Sequence, residues 1–265
     1  MSVIFTETHV YKSIPISCPE MQIMTAFRSC LTDKMNRSTN LHQTYAAILD
    51  MFPVYSSISD AECNRHSLYP DSDHLYIKMN RLPGKSISPE TFFMYCVSAK
   101  QCYHAFLNLY LLLNELGKFG CLYTDLHLGN LLCSYKEDCF QLKLVDFTDI
   151  LLLPDKLRES DTFIPTTRTT LLPETAVRTF YRKCTSSNTH FDDRLIRRQL
   201  LGILLQLCQY DNLSILSFFE GDTCHISQTH RHEIEQSLIA LYRTWNPSDK
   251  RTEILFKNFI DKLLN

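Results

Sequence analysis

An aspartate, an asparagine five residues on and a second aspartate beyond a strand-like segment are the side chains best placed for chemistry in this chain of 265 residues. Asp125 and Asn130 stand in Cys121-Leu122-Tyr123-Thr124-Asp125-Leu126-His127-Leu128-Gly129-Asn130. Asp146 follows sixteen residues after Asn130, in Leu144-Val145-Asp146-Phe147-Thr148. Phosphoryl transfer leaves a protein little covalent work. It needs a carboxylate beside the attacking hydroxyl and hard oxygen ligands that hold Mg2+ against the phosphates. Mg2+ takes one or two such ligands from protein, and the Asn130 amide and Asp146 carboxylate are of that type. Taken singly, the residues have plainer uses: Asp125 and Asn130 cap a turn, and Asp146 ends a strand. The three together, in this order, favour the chemical reading.

Such a set requires two adjacent loops held by regular elements. Pro89 to Phe119 is one long helix signal, rich in Leu, Phe and Tyr and free of glycine until Gly117. Strand-like segments follow at Leu131–Ser134 and Gln141–Val145, with a polar turn between them. Upstream, Thr6–Ile16 carries a β-like run ending at Pro15. Ser17-Cys18-Pro19-Glu20 then reads as a helix start, with Met21, Ile23, Met24, Phe27 and Leu31 at helical spacing. Thr32–Asp73 is mixed and polar, with a candidate helix at His42–Met51 and turns near Pro53 and Pro70. His74–Met79 reads as a strand, closed by Arg81-Leu82-Pro83-Gly84, and a hinge near Asn80–Lys85 is the natural cleft for a ligand. Pro154–Pro173 reads as an extended loop. The chain from Thr175 reads as largely helical, ending in a helix at Glu253–Leu264.

These motifs resemble those of protein kinases. Asp125-Leu126-x-x-x-Asn130 looks like the kinase catalytic loop, and Asp146-Phe147-Thr148 like the Asp-Phe-Gly magnesium motif. By that resemblance Asp125 orients or deprotonates the acceptor hydroxyl, while Asn130 and Asp146 coordinate Mg2+. Leu172-Pro173-Glu174, whose glutamate lies 28 residues after Asp146, resembles the Ala-Pro-Glu end of an activation segment. Asn246-Pro247-Ser248-Asp249-Lys250-Arg251 resembles the Asp-Pro-x-x-Arg segment, so Glu174 and Arg251 are the implied buried ion pair. Leu200–Leu205 is similar to the apolar central helix of the large lobe. Toward the N-terminus, Val10-Tyr11-Lys12 resembles the Val-Ala-Ile-Lys strand, with Lys12 reaching the ATP phosphates. Glu20 heads the helix whose glutamate pairs with that lysine. The plainer uses are a solvated strand lysine and a first-turn acid favoured by the helix dipole. The implied fold is α+β and two-lobed over residues 1–265 as one domain. A reduced N-terminal lobe (about 1–80) holds β-strands and one helix, and a mainly helical lobe spans about 85–265.

The pattern also departs from the family. All six glycines fall at Gly84 or later, so no glycine-rich loop covers the phosphates, and two strands and a turn hardly fit in the eleven residues before Lys12. Only seven residues separate Lys12 from Glu20. Tyr123-Thr124-Asp125 replaces His-Arg-Asp, which removes the charge partner of a phosphorylated activation loop. Thr148 stands in the glycine position of Asp-Phe-Gly. Arg197 stands where the family places an aspartate, for which Asp192 or Asp193 would have to substitute. His127 replaces the catalytic-loop lysine and is read as supporting the loop by hydrogen bonding. Asp-Leu-His-x-Gly-Asn is shared with haspin-like, aminoglycoside and choline kinases.

Composition bounds the alternatives. At 45% hydrophobic and 21% charged, the chain has enough apolar matter for a core, and a net charge of −2 is no basic footprint that would point to a nucleic-acid partner. No apolar run approaches the roughly 18 residues of a membrane span, and Met1–Phe5 carries no basic signal region, so the expectation is an intracellular protein. Eleven cysteines without metal or disulfide spacing, among them Cys96, Cys102, Cys133 and Cys208, read as small hydrophobes. Three functions stay open: an Mg·ATP-dependent kinase acting on a Ser/Thr hydroxyl of a protein substrate, a pseudokinase that binds a partner, and a small-molecule kinase of the aminoglycoside or choline type.

Overall fold

The computed structural model describes residues 2–87, 92, 99–136, 139–152 and 194–207, with single positions at 232, 236, 254 and 258. The chain divides into two compact units, one of residues 1–83 and 145–148, the other of 84–144 and 149–265. Both mix helix and sheet.

The first unit is a four-stranded antiparallel sheet in the order β1-β2-β4-β3, formed by Val3–Phe5, His9–Pro15, Tyr55–Ser56 and His74–Asn80. In β2 four successive residues, Tyr11 to Ile14, are buried, so both faces of the strand are covered. The pleat sends Val10, Lys12 and Ile14 to one face, opposite Met79, Ile77 and Leu75 of β4. Helix α1 (Glu20–Arg37) buries Glu20, Ile23, Met24, Phe27 and Leu31, a stripe at the 3.6-residue period. Glu20 stands at the head of that stripe, one turn before Ile23 and Met24, and so its carboxylate is carried into the core.

Helix α2 (His42–Leu49) packs on α1, where Arg28 donates to the carbonyls of Leu49 (2.6 Å) and Phe52 (3.1 Å) beyond its end. The Phe52 ring contacts Phe27 (centroids 5.5 Å apart) and, edge-on, Phe147 (6.2 Å). Phe147 is therefore a core side chain of this unit although it lies far along the chain. On the other face of β2, Tyr11 donates to Glu62 at 2.7 Å from α3 (Asp60–His66), whose start is a Ser59–Glu62 capping box. Helix α2 falls on the candidate helix at His42–Met51, whereas α3 was not expected; together they add to the one helix assigned to the reduced lobe. Polar composition concealed α3, which has no buried residue of its own and is held by its cap and by Glu62.

The second unit is organised around α4 (Ala99–Lys118), which buries Cys102, Ala105, Phe106, Leu109, Leu112, Leu113 and Leu116. A three-stranded sheet, β5-β7-β8, is built from Lys85–Ser86, Leu131–Lys136 and Cys139–Leu144. A two-stranded ribbon joins β6 (Cys121–Tyr123) to β9 (Ile150–Leu152). Helix α5 (Arg194–Leu207) buries Ile196, Leu200, Ile203 and Leu204, and its buried Gln199 donates to the Tyr123 carbonyl at 2.8 Å. Gly84, at φ +141°, has no room for a side chain, since a Cβ would sit 2.8 Å from the Cys133 carbonyl oxygen.

The long helix expected over Pro89–Phe119 is described from Ala99 to Lys118, and the apolar Leu200–Leu205 run lies within α5. Cys102 and Cys133 are buried, as a small hydrophobe would be. Cys96, Cys208, Asp192, Asp193, Glu174, Arg251, the Pro154–Pro173 segment and most of the expected C-terminal helix lie outside the described residues. Among the described residues, no helix is long and apolar enough to cross a membrane.

Candidate functional site

Two constellations carry the residues singled out from the sequence, one in each unit. In the first, Lys12 projects from the centre of β2 into the apolar face between sheet and α1, and only 5% of its side chain is exposed. An ammonium there requires partners. It has three, one for each of its protons: Glu20 Oε2 at 2.9 Å, Asp146 Oδ1 at 2.7 Å and the Thr148 hydroxyl. Burial alone pulls the lysine pKa down, but the charges of Glu20 and Asp146 outweigh it and carry it above its ordinary value. Burial likewise pushes the Asp146 carboxyl up. The Lys12 charge, with hydrogen bonds from Lys12 and Thr148, reverses this and holds it below the usual carboxylate range.

Glu20 is fully buried and engaged at both oxygens, Oε2 by Lys12 and Oε1 by the Tyr55 hydroxyl at 2.7 Å. Asp146 adopts φ +59°, the left-handed region, which aspartate tolerates better than most residues. Its Oδ1 also accepts from the Thr148 amide (3.3 Å) and hydroxyl (2.8 Å), an Asx-type turn that stabilises this backbone. The side chain of Asp146 stays 38% exposed, in contrast to Lys12 and Glu20.

The β1–β2 turn, Thr6-Glu7-Thr8, needs no glycine. The Thr6 amide and hydroxyl donate to the His9 carbonyl, and the His9 amide donates to Thr6 Oγ1, all at 2.9 Å. Arg81 fastens it from outside, its guanidinium on the Thr6 carbonyl (3.0 Å) and its amide on that of Thr8 (2.8 Å). One three-residue strand and a side-chain-closed turn precede the strand that carries Lys12, not the two strands and a turn for which the eleven residues ahead of it leave no room.

In the second unit, β6 ends at Tyr123 and the chain runs through Asp125 into a short 3-10 turn, Leu128–Asn130, before β7. The Asn130 Nδ2 donates to both the carbonyl and Oδ2 of Asp125, each at 3.0 Å. That orientation turns its other amide atom, Oδ1, into the acceptor available to a cation. His127 caps the turn, its Nδ1 accepting from the Gly129 amide at 3.0 Å, and its Nε2 lies 3.5 Å from Asp125 Oδ2. The Thr124 hydroxyl donates to the Asp149 carbonyl at 2.5 Å, which ties the loop to the start of β9.

The structure thus brings Lys12, Glu20 and Asp146 together in one unit, and Asp125 and Asn130 together in the other. Two participants were not found from sequence as site residues. Thr148 carries a local signal, an Asp-x-Thr spacing that forms an Asx turn. Tyr55 carries none, since only the β3–β4 pairing brings it to Glu20. Among the described residues no cluster of three His, Cys, Asp or Glu forms a preformed metal cage. The part-exposed Asp146 carboxylate in the first unit and the Asn130 amide oxygen in the second are each of the hard oxygen type that Mg2+ takes, an ion bound by few protein ligands.

No family model matches this chain, and no curated protein matches it. Among solved structures, the chain is similar to that of the Cydia pomonella granulovirus kinase PK-1. The TM-score is 0.46 and the identity 12%, over 96% of this chain and 87% of that one.

Proposed function

We propose that the chain is a divergent two-lobed protein kinase that transfers the γ-phosphate of ATP to a Ser or Thr hydroxyl of a protein. The observation that carries the reading is the buried pairing of Lys12 with Glu20, joined by Asp146 at 2.7 Å. A buried lysine held between two carboxylates does not add to stability as apolar residues of its size would. Its retention in an apolar sheet face is accounted for by a use for the charge.

In this reading Lys12, oriented by Glu20, neutralises phosphate oxygens, and Asp146 and Asn130 hold Mg2+, which when bound withdraws charge from the phosphates being transferred. Lys12 exchanges its contact with Asp146 for phosphate as the nucleotide enters, while Glu20 and Thr148 keep the ammonium in place. Asp125, its carboxylate fixed by Asn130, accepts the proton of the attacking hydroxyl. Thr148, in the usual glycine position, serves as a third ligand of the lysine.

The test is transfer of labelled γ-phosphate from Mg·ATP to the protein itself and to basic and acidic protein substrates, beside Asp125→Ala and Asp146→Ala. Transfer lost in both variants supports the reading. A folded wild type that transfers no more than the variants overturns it. That result favours a pseudokinase, a partner-binding module, for which the engagement of all three Lys12 protons within the chain already speaks.

A further inference from the structure

His127 has two nitrogens with two neighbours, and the neighbours fix what each nitrogen carries. The Gly129 amide donates to Nδ1 at 3.0 Å, so Nδ1 must present a lone pair. The proton of the neutral ring is then on Nε2, which faces Asp125 Oδ2 at 3.5 Å. The same Oδ2 accepts from Asn130 Nδ2 at 3.0 Å, so the imidazole stands beside a carboxylate oxygen that the loop already holds by one N–H. The imidazole is also held mechanically. It lies so close over Gly129 that a Cβ at that position would sit 2.7 Å from His127 Cε1 and 2.9 Å from Nδ1. A glycine at 129 is thus required by the ring, and the ring by both the turn and Asp125.

We infer that His127 is a positioning residue for Asp125: its Gly129-fixed tautomer keeps Nε2 beside the carboxylate and so biases the rotation of the group that meets the acceptor hydroxyl. The inference rests on the phosphotransferase reading for its consequence, and on the loop alone for its geometry. It goes beyond loop support, because capping the turn uses only Nδ1.

Substitutions separate the two nitrogens. His127→Asn keeps an oxygen near the place of Nδ1 and has nothing that reaches Asp125. His127→Gln places an amide N–H near the place of Nε2. In the labelled-phosphate assay on the full chain, His127→Asn is expected to lower kcat roughly ten- to a hundredfold, the scale of a small misplacement of a reacting group. Its KM for ATP and thermal midpoint stay near wild type, and His127→Gln recovers most of the loss. Gly129→Ala displaces the ring and matches His127→Asn in kcat. A His127→Asn protein turning over at the wild-type kcat overturns the inference.

The 15N spectrum of labelled histidine, compared between wild type and Asp125→Ala, is the second measurement. A protonated Nε2 and a bare Nδ1, with the Nε2 resonance moving on loss of Asp125, are expected. A proton on Nδ1 overturns the geometry whatever the activity. If wild type shows no Asp125-dependent transfer, it is the phosphotransferase reading that falls, and the spectrum still decides the tautomer.

Discussion

Lys12 concentrates the energetics of the first unit in one ammonium. Its three partners come from two other parts of the chain, the first turn of α1 and residues 146–148, so the group reports on whether both are assembled on β2. Lys12→Met fits the space but leaves Glu20, whose side chain has no exposure, as an unpaired buried charge. The expected loss is about 3–5 kcal/mol, read as a lower urea midpoint at unchanged slope. In Lys12→Met/Glu20→Gln much of it returns, because the uncompensated charge is gone. A double variant as unstable as the single would show that the pair does not carry the cost. Thr148 makes a smaller contribution of the same kind. Thr148→Val keeps the shape and removes a hydroxyl that bonds Lys12, Glu20 and Asp146, for an expected loss of about 1–3 kcal/mol, whereas Thr148→Ser stays near wild type. The pairing of Lys12 with Glu20 and the meeting of Asp125 with Asn130 on one loop were legible from residue type and order. Tyr55 was not, since a tyrosine in a two-residue strand carries no local mark of a partner 35 residues away.

Helix α1 shows what a sequence states well about an element and what it omits. The period of Ile23, Met24, Phe27 and Leu31 placed the helix and its buried face, and Glu20 falls on that face by the same period. What it could not give is the depth of Glu20, which depends on the sheet and on Tyr55. Helix α3 is the opposite case: its only strong local signal is the Ser59–Glu62 capping box, and its hold on the sheet is polar, through Tyr11 and Lys78 to Glu62. The two helices therefore respond differently to truncation. Phe27→Ala removes a fully buried ring from the cluster with Phe52 and is expected to cost about 3–5 kcal/mol. Ser59→Ala removes the cap of α3 at about 1 kcal/mol. Hydrogen exchange distinguishes them further. The cap variant speeds exchange in α3 alone, while the core variant speeds it across β2, β4 and α1. Exchange rising in α1 after Ser59→Ala would mean that α3 is part of the core rather than a covering on it.

At the scale of the molecule, the shifted groups of the first unit act on stability at both ends of the pH range. Asp146 and Glu62 have carboxyls held below their ordinary values, Asp146 chiefly against burial by Lys12, and Glu62 by hydrogen bonds from Lys78, the Ser59 amide and Tyr11. A depressed carboxyl stabilises the fold fully above its unfolded value of about 4, and that stability is lost as pH falls through the lower folded value. The alkaline end has the opposite sign. Lys12 lies above its ordinary value of 10.5, and Tyr11 is pushed from 10.0 up to about 12, first by burial and then by its bond to Glu62. Above pH 10 the unfolded chain releases these protons while the folded chain keeps them, so stability falls between about pH 10 and 12. The contribution of these groups is thus flat through the neutral range and declines on both sides. The urea midpoint of the full chain, measured from pH 3 to 11, is expected to follow that shape. Asp146→Asn flattens the acid decline and, by removing one of the charges that raise Lys12, also weakens the alkaline one. Tyr11→Phe flattens the alkaline decline and, by removing one bond to Glu62, softens the acid one to a smaller degree. An acid decline unchanged in Asp146→Asn would mean that Lys12 and Asp146 are not joined in solution, and would remove the support that their pairing gives to the proposed phosphate site.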